Sequence, residues 1–313
     1  MGTVLEVRDL TKKYVEGTAE SKVVDHVSLD VDEGEFVIIM GASGSGKTSI
    51  LHLIAGIDTC SEGSIKYTLP DEVRRPAGHV FRCALGYTLP DEIGPSRRSK
   101  RHGLSGGNRP ADLARMNEKE KTMFRRVNIG LVFQQQCLIP DLTVYENIML
   151  PLMLDRNRKE NAFKKDKIMN LCGRFGLKEH VRKYPSQLSG GQQQRTAILR
   201  SVANHPPLLL CDEPTGSLNS AQTELVMDLL EELNKDGQTI ILVTHDIRVA
   251  VRGKRVLYIE DGHVEGELDF TEHVPNGAEM HPGSVPDTAG TEAVCTIKDR
   301  EEKLIHFLQE RGW

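Results

Sequence analysis

The stretch Gly41-Ala42-Ser43-Gly44-Ser45-Gly46-Lys47-Thr48 decides how the rest of the chain is read. It fits the phosphate-binding pattern G-x-x-x-x-G-K-[ST], and its context suits that reading. The apolar run Phe36-Val37-Ile38-Ile39-Met40 before it reads as a buried strand, and Ser49 to Ala55 after it reads as a helix. Glycines let such a loop curl until successive backbone N–H groups point at one centre. The following helix adds the positive end of its dipole. In this pattern Lys47 reaches the β- and γ-phosphates and the Thr48 hydroxyl coordinates Mg²⁺. Gly41 to Ser49 are therefore the expected nucleotide-binding residues. The alternative, a Gly/Ser-rich turn with an accidental lysine, does not account for the flanking strand and helix.

Working outward, residues 3–9 and 23–31 alternate apolar and polar, as half-buried strands do. Tyr14 is expected between them, and Gly63 to Tyr67 reads as a further strand. Residues 111–126 show helical periodicity, Val127 to Phe133 forms an apolar strand ending at Gln134, and Thr143 with Glu146 makes a capping box. Helical patterns continue from about 158 to 176. Leu188-Ser189-Gly190-Gly191-Gln192-Gln193-Gln194-Arg195 opens a helix. Leu208 to Glu213 is a buried strand ending in two carboxylates, and Thr239 to Thr244 is a strand ending at His245-Asp246.

Composition sets the limits. The 313 residues carry 38% hydrophobic and 27% charged side chains with a net charge of -5, which suits a globular protein and gives no reason to expect nucleic acid. No apolar run approaches the roughly 20 residues that span a bilayer, and the first residues do not read as a secretory signal. Six cysteines without C-x-x-C spacing read as reduced thiols.

Residues 68–110 interrupt the pattern. Tyr-Thr-Leu-Pro-Asp-Glu occurs there twice, at 67–72 and 87–92, and eight basic residues face four acidic ones. This reads as a basic surface insertion carrying a local duplication, because solenoids need about three repeats. A solvated loop is the bland reading of the charge and a phosphate-rich partner the sharper one. Leu104-Ser105-Gly106-Gly107-Asn108 repeats LSGG inside the insertion, but it lacks the following Gln and precedes Pro110 rather than a long helix. It reads as coincidence.

Taken together, the phosphate loop, Gln134, Leu188 to Gln192, Asp212-Glu213 and His245 resemble the ATP-binding subunits of ABC transporters. The order matches, and the spacings suit it: 23 positions from Ser189 to Asp212 and 32 from Glu213 to His245. Gly130 to Gln134, Leu142 to Ile148 with Pro151, and Ser189 to Arg195 are similar to the branch of lipoprotein-release, macrolide-exporter and cell-division ATPases. The resemblance implies an α/β P-loop NTPase of ABC type. It has a mainly parallel core sheet, an antiparallel β-subdomain and a helical signature subdomain at about 135–195. It covers an ATP-binding domain at 1–268, followed by a linker at 269–292 and an amphipathic helix at 293–313, for which packing on its own domain is the bland reading.

The resemblance also implies roles. Asp212 holds Mg²⁺, with Thr48 and Gln134, and Glu213 is the general base toward the attacking water. Strand alternation puts these two acids on opposite sides. His245 contacts the γ-phosphate, Gln134 senses the transmembrane partner and Tyr14 stacks on adenine. Ser189, Gly190, Gly191 and Gln192 open a helix whose N–H groups form an anion site, used in the family against the γ-phosphate of a second subunit in a head-to-tail dimer. ATP and Mg²⁺ are the implied cofactors. A second copy and a separate permease are the implied partners, which puts the chain at the cytoplasmic face of a membrane. The same fold also serves signalling through a membrane partner in cell division, and translation-associated proteins. The latter commonly carry two such units and this chain has one. Asn219 stands where the family usually has Asp, keeping the hydrogen-bonding shape without the charge.

Overall fold

The computed structural model describes residues 2–16, 19–68, 111–154, 168–271 and 296–313. The expectations for the insertion and for its LSGG at 104–107 fall outside them.

Two sheets organise the fold. The larger has six strands in the order β10-β9-β3-β8-β7-β6. These are β3 (Phe36–Met40), β6 (Ile129–Val132), β7 (Leu208–Asp212), β8 (Thr239–Thr244), β9 (Arg255–Glu260) and β10 (His263–Asp269). The pairs β3–β8, β3–β9, β7–β8 and β6–β7 are parallel, and only the β9–β10 hairpin at the edge is antiparallel. Continuous apolar runs such as Phe36-Val37-Ile38-Ile39-Met40 suit strands covered on both faces, and every residue of β3, β7 and β8 is buried.

The period of two divides these strands between two cores. Phe36, Ile38 and Met40 join Leu209, Cys211, Ile240 and Leu242 on one face. There they meet the helices α3 (Val144–Leu154), α5 (Gly190–Val202) and α6 (Ser220–Lys235). Residues 168–174, helix α4, pack into the same cluster through Ile168, Leu171 and Cys172. Val37 and Ile39 join Leu208, Leu210, Ile241 and Val243 on the other face, against α1 (Lys47–Ile54) and the second sheet.

That second sheet is antiparallel, in the order β2-β1-β4-β5, with β1 at Thr3–Glu16, β2 at Ala19–Asp32, β4 at Glu62–Tyr67 and β5 at Ala111–Asp112. Two expectations are corrected here. Tyr14 lies inside β1, paired with Ser21, rather than between two strands, because β1 and β2 are long. Residues 111–126 are not one helix. Ala111 and Asp112 pair with β4, and α2 (Glu118–Asn128) starts only at the capping box of Asn117 and Glu120.

After the short helix α7 (Ile247–Ala250), a last helix, α8 (Ile297–Gln309), is opened by a capping box of Thr296 and Asp299. Its Leu304, Phe307 and Leu308, at helical spacing, are buried in the first core. Phe270 is buried in that core as well. The Arg300 guanidinium lies 5.3 Å from the Phe270 ring centroid and donates to the carbonyls of Val251 and Gly253. Among the described residues, no helix is long and apolar enough to cross a membrane. Cys60, Cys137, Cys172 and Cys211 are free.

Candidate functional site

In a parallel sheet the carboxyl ends of the strands share one edge, where ligands bind. Here β3 delivers the phosphate loop to that edge, β6 delivers Gln134, β7 delivers Asp212 and Glu213, and β8 delivers His245.

The loop has no room for side chains at two of its glycines. A Cβ at Gly41 would stand 2.1 Å from the Ile259 carbonyl oxygen, and one at Gly46 2.4 Å from that of Val23. Gly46 also has φ 98°, a conformation glycine adopts at little steric cost. Neighbouring backbone therefore closes on the loop at both glycines, in space that a Cβ would fill, and the Ser45 N–H donates to the Ala42 carbonyl at 3.2 Å. A glycine-dependent loop of this kind that holds a lysine suits a polyphosphate. Ser45 and Lys47 are buried in the loop, while Ala42, Ser43 and Gly44 are exposed at its rim and Ser49 faces partly outward from α1. The Lys47 ammonium donates to the Ala42 carbonyl at 2.5 Å and to Ser45 Oγ at 3.4 Å. Burial holds the Lys47 pKa below the usual lysine value, while the charges of Glu213 and Asp212 pull it up.

Thr48 Oγ1 donates to Asp212 Oδ1 at 3.0 Å. Burial pushes the Asp212 carboxyl above the ordinary aspartate range, against the Thr48 hydrogen bond and the nearby charges of His52 and Lys47. A buried carboxylate beside a hydroxyl is a hard-oxygen set that fits Mg²⁺ and relieves the buried negative charge.

Glu213 lies one residue beyond β7, with φ 42°. The two acids are therefore set apart by a left-handed turn of the backbone and not by strand alternation, which corrects the sequence reading. The turn is held by the Glu213 N–H, which donates to the Val243 carbonyl at 3.0 Å. It delivers the Glu213 carboxylate to His245, whose Nδ1 lies 2.8 Å from Oε1, and to Gln134, whose Nε2 lies 3.4 Å from Oε2. An ionised carboxylate only accepts, so His245 carries its proton on Nδ1 in this contact. Glu213, His245 and Gln134 thus converge from three strands.

Ser189 caps α5 by accepting from the Gln192 N–H at 3.4 Å, and Gln192 Oε1 accepts from the Ser189 N–H at 2.9 Å. Gly190 and Gly191 form the first turn. Among the described residues this group shares no hydrogen bond with the phosphate loop. Tyr14 is 44% exposed, and its partner Ser21 lies two positions from Val23, the residue that crowds Gly46.

Sequence reasoning missed two sets of residues. Gln222, in the first turn of α6, lies across Gly191 and accepts from Arg195 Nη1 at 3.2 Å. Lys12 and Asp58 surround Tyr14. No local pattern marks either set, because each works through partners distant in sequence.

A phosphate loop on a parallel sheet, a strand-end acid pair and a glycine-led helix define an ATPase of the P-loop class. The chain belongs to the ABC transporter family, whose model matches residues 24–216. It is 38% identical over 272 residues to the uncharacterized ABC transporter ATP-binding protein MJ0796 of Methanocaldococcus jannaschii, spanning 84% of this chain and 96% of that protein. It is 31% identical to the macrolide export ATP-binding/permease protein MacB of Bdellovibrio bacteriovorus, over 84% of this chain but only 34% of that protein. Among solved structures, the dimeric post-hydrolysis state of the MJ0796 cassette bound to ADP and Pi is similar at a TM-score of 0.65 and 34% identity, covering 86% of this chain and all of that one. The chain is an ATP-binding subunit of this family and an ATPase.

Proposed function

We propose that the chain powers a separate membrane permease by ATP-driven, head-to-tail pairing of two copies. One observation carries this reading: Glu213, His245 and Gln134 converge beside the phosphate loop, while Ser189 to Gln192 open α5 and, among the described residues, share no hydrogen bond with that loop. Each copy then holds one half of a site, and a second copy supplies the missing helix terminus. The dimeric MJ0796 cassette supports the pairing.

In this reading the backbone of Gly41 to Lys47 and the Lys47 ammonium hold the β- and γ-phosphates, and Tyr14 carries the adenine. Thr48, Asp212 and Gln134 hold Mg²⁺. The ion, when bound, neutralises charge that develops on the phosphates. Glu213 accepts a proton from the attacking water, and His245, held through Nδ1, reaches the γ-phosphate with Nε2, which donates there when the ring is an imidazolium with protons on both nitrogens. Ser189 and the N–H groups of Gly190 and Gly191 receive the γ-phosphate of the partner. The domain runs past the expected boundary at 268, since Asp269 ends β10 and Phe270 is in the core, and α8 (Ile297–Gln309) packs back onto it. The permease holds the assembly at the cytoplasmic face of its membrane and chooses the substrate.

The test is Glu213→Gln, which keeps the shape and removes the base. Hydrolysis should fall by about 10²–10⁴-fold, the scale of general base catalysis, while ATP still binds and a dimer accumulates in sedimentation with Mg-ATP. A variant that stays monomeric under saturating ATP, or hydrolyses at the wild-type rate, contradicts the proposal.

A further inference from the structure

We propose that Lys12 and Asp58 form a bracket that fixes the Tyr14 ring in one plane, making them positioning residues for the nucleobase. This rests on the reading of Tyr14 as the adenine platform.

The Asp58 carboxylate is held from three directions. Oδ1 accepts from Lys12 Nζ at 2.7 Å and from the Thr59 N–H at 2.7 Å, and Oδ2 accepts from the Tyr14 hydroxyl at 2.9 Å. Lys12 is fixed in turn by the Thr59 carbonyl at 2.8 Å. Its ammonium also stands 4.8 Å from the Tyr14 ring centroid, where a cation is attracted to the π-face. Burial alone would push Asp58 up, yet these hydrogen bonds leave it below the usual carboxylate range, so the acceptor stays charged at neutral pH. The same bond raises the Tyr14 phenol, which stays a donor.

The bracket has a rigid base. Asp58 sits just after α1, the helix that leaves the phosphate loop. Lys121 of α2 donates to the Thr59 hydroxyl at 2.8 Å, and Arg125 donates to the Gly56 carbonyl. The segment that carries Asp58 is therefore tied to both α1 and α2.

An exposed tyrosine ordinarily samples several rotamers and loses that freedom when a ligand stacks on it. Here the hydroxyl is tied at the tip and the ammonium stands over the ring, so the platform is held at two points. The loss of freedom is met in the fold, before nucleotide arrives. Stacking tolerates any base, since each has a π-face. The bracket therefore strengthens ATP and GTP binding in the same proportion and leaves the phosphate contacts alone.

The experiment uses the full chain and measures affinity for ATP, GTP and inorganic tripolyphosphate by calorimetry. Tyr14→Ala should weaken ATP by about tenfold or more and leave tripolyphosphate unchanged, as loss of a base-stacking ring implies. Tyr14→Phe removes only the tether, and Asp58→Ala and Lys12→Met loosen it from the other side. Each should weaken ATP and GTP equally, by about three- to tenfold, with tripolyphosphate unchanged. The double variant Tyr14→Phe/Asp58→Ala should be no weaker than Asp58→Ala alone, because Tyr14→Phe breaks a link that Asp58→Ala already removes. Full ATP affinity in Asp58→Ala alongside a weak Tyr14→Ala overturns the bracket and leaves the platform standing. Full affinity in Tyr14→Ala overturns the platform itself. Additive effects in the double variant, or weakened tripolyphosphate in Asp58→Ala, overturn the bracket by showing that Asp58 acts elsewhere.

Discussion

Gly191 lies under the side chain of Gln222, and a Cβ there would stand 1.9 Å from Oε1 and 2.7 Å from Cδ. Gly191→Ala therefore pushes Gln222 away and takes from Arg195, a buried residue, its partner at 3.2 Å. An unpaired buried group of this kind costs about 1–3 kcal/mol. The variant should lose that much stability in urea unfolding and should no longer dimerise with Mg-ATP, while single-copy ATP affinity stays at the wild-type value. An unaltered ATP-dependent dimer would show that the contact has no bearing on pairing. Lys47→Ala removes the ammonium aimed into the loop and should abolish tight ATP binding in equilibrium titration; unchanged binding sinks the assignment of the loop. Lys47, Glu213 and His245 were legible in the sequence because short motifs with fixed spacing announce them. Gln222, Lys12 and Asp58 were not, because glutamine, lysine and aspartate are ordinary surface residues until a fold brings them to a glycine or a ring.

Two helices show what local pattern conveys and what it leaves out. Asn219 caps α6 by accepting from the Gln222 N–H at 2.9 Å. Asn219→Asp keeps that bond and adds a negative charge at the positive end of the helix dipole, worth about 0.3–1 kcal/mol. Thermal unfolding should shift upward; a downward shift would mean that the neutral amide serves something other than the cap. In α8 the apolar spacing pointed to an amphipathic helix, but Ile297 and Ile305 are exposed and the buried face is Leu304, Phe307 and Leu308, with Leu304 fully buried. Leu304→Ala should cost about 2–5 kcal/mol, as for other buried leucines, measured as a lower urea midpoint at unchanged slope. A loss below about 1 kcal/mol would mean that α8 comes off the core easily. Helix α2 was misread for a physical reason. The periodicity of 111–126 is real only from Asn117 onward, and Ala111 and Asp112 take their extended form from pairing with Tyr67 and Lys66, which no local window contains.

The largest scale joins ends that are far apart. Tyr67 and Ala111 are directly paired across β4 and β5, so a two-residue Asn-Gly turn between them would close a hairpin. Replacing 68–110 by that turn should keep cooperative unfolding and its upward shift with Mg-ATP. Loss of either in a thermal melt would reveal a structural element in the segment. The parallel sheet itself was legible in outline from its continuous apolar runs. Its strand order was not, since every such run is equally apolar. That order has a consequence during synthesis. β3 lies between β8 and β9, and the bond from Asn234 Nδ2 to the Gly34 carbonyl spans 200 positions. At about 5–20 residues per second, a ribosome needs roughly 10–40 s to make that span. For all that time Phe36 to Met40 has been made and has neither neighbour, so a wholly apolar strand waits longest among the described strands for its place. Nascent chains halted before residue 239 should be cut by protease at this strand and held by chaperones, and chains halted after β10 has cleared the exit tunnel should resist.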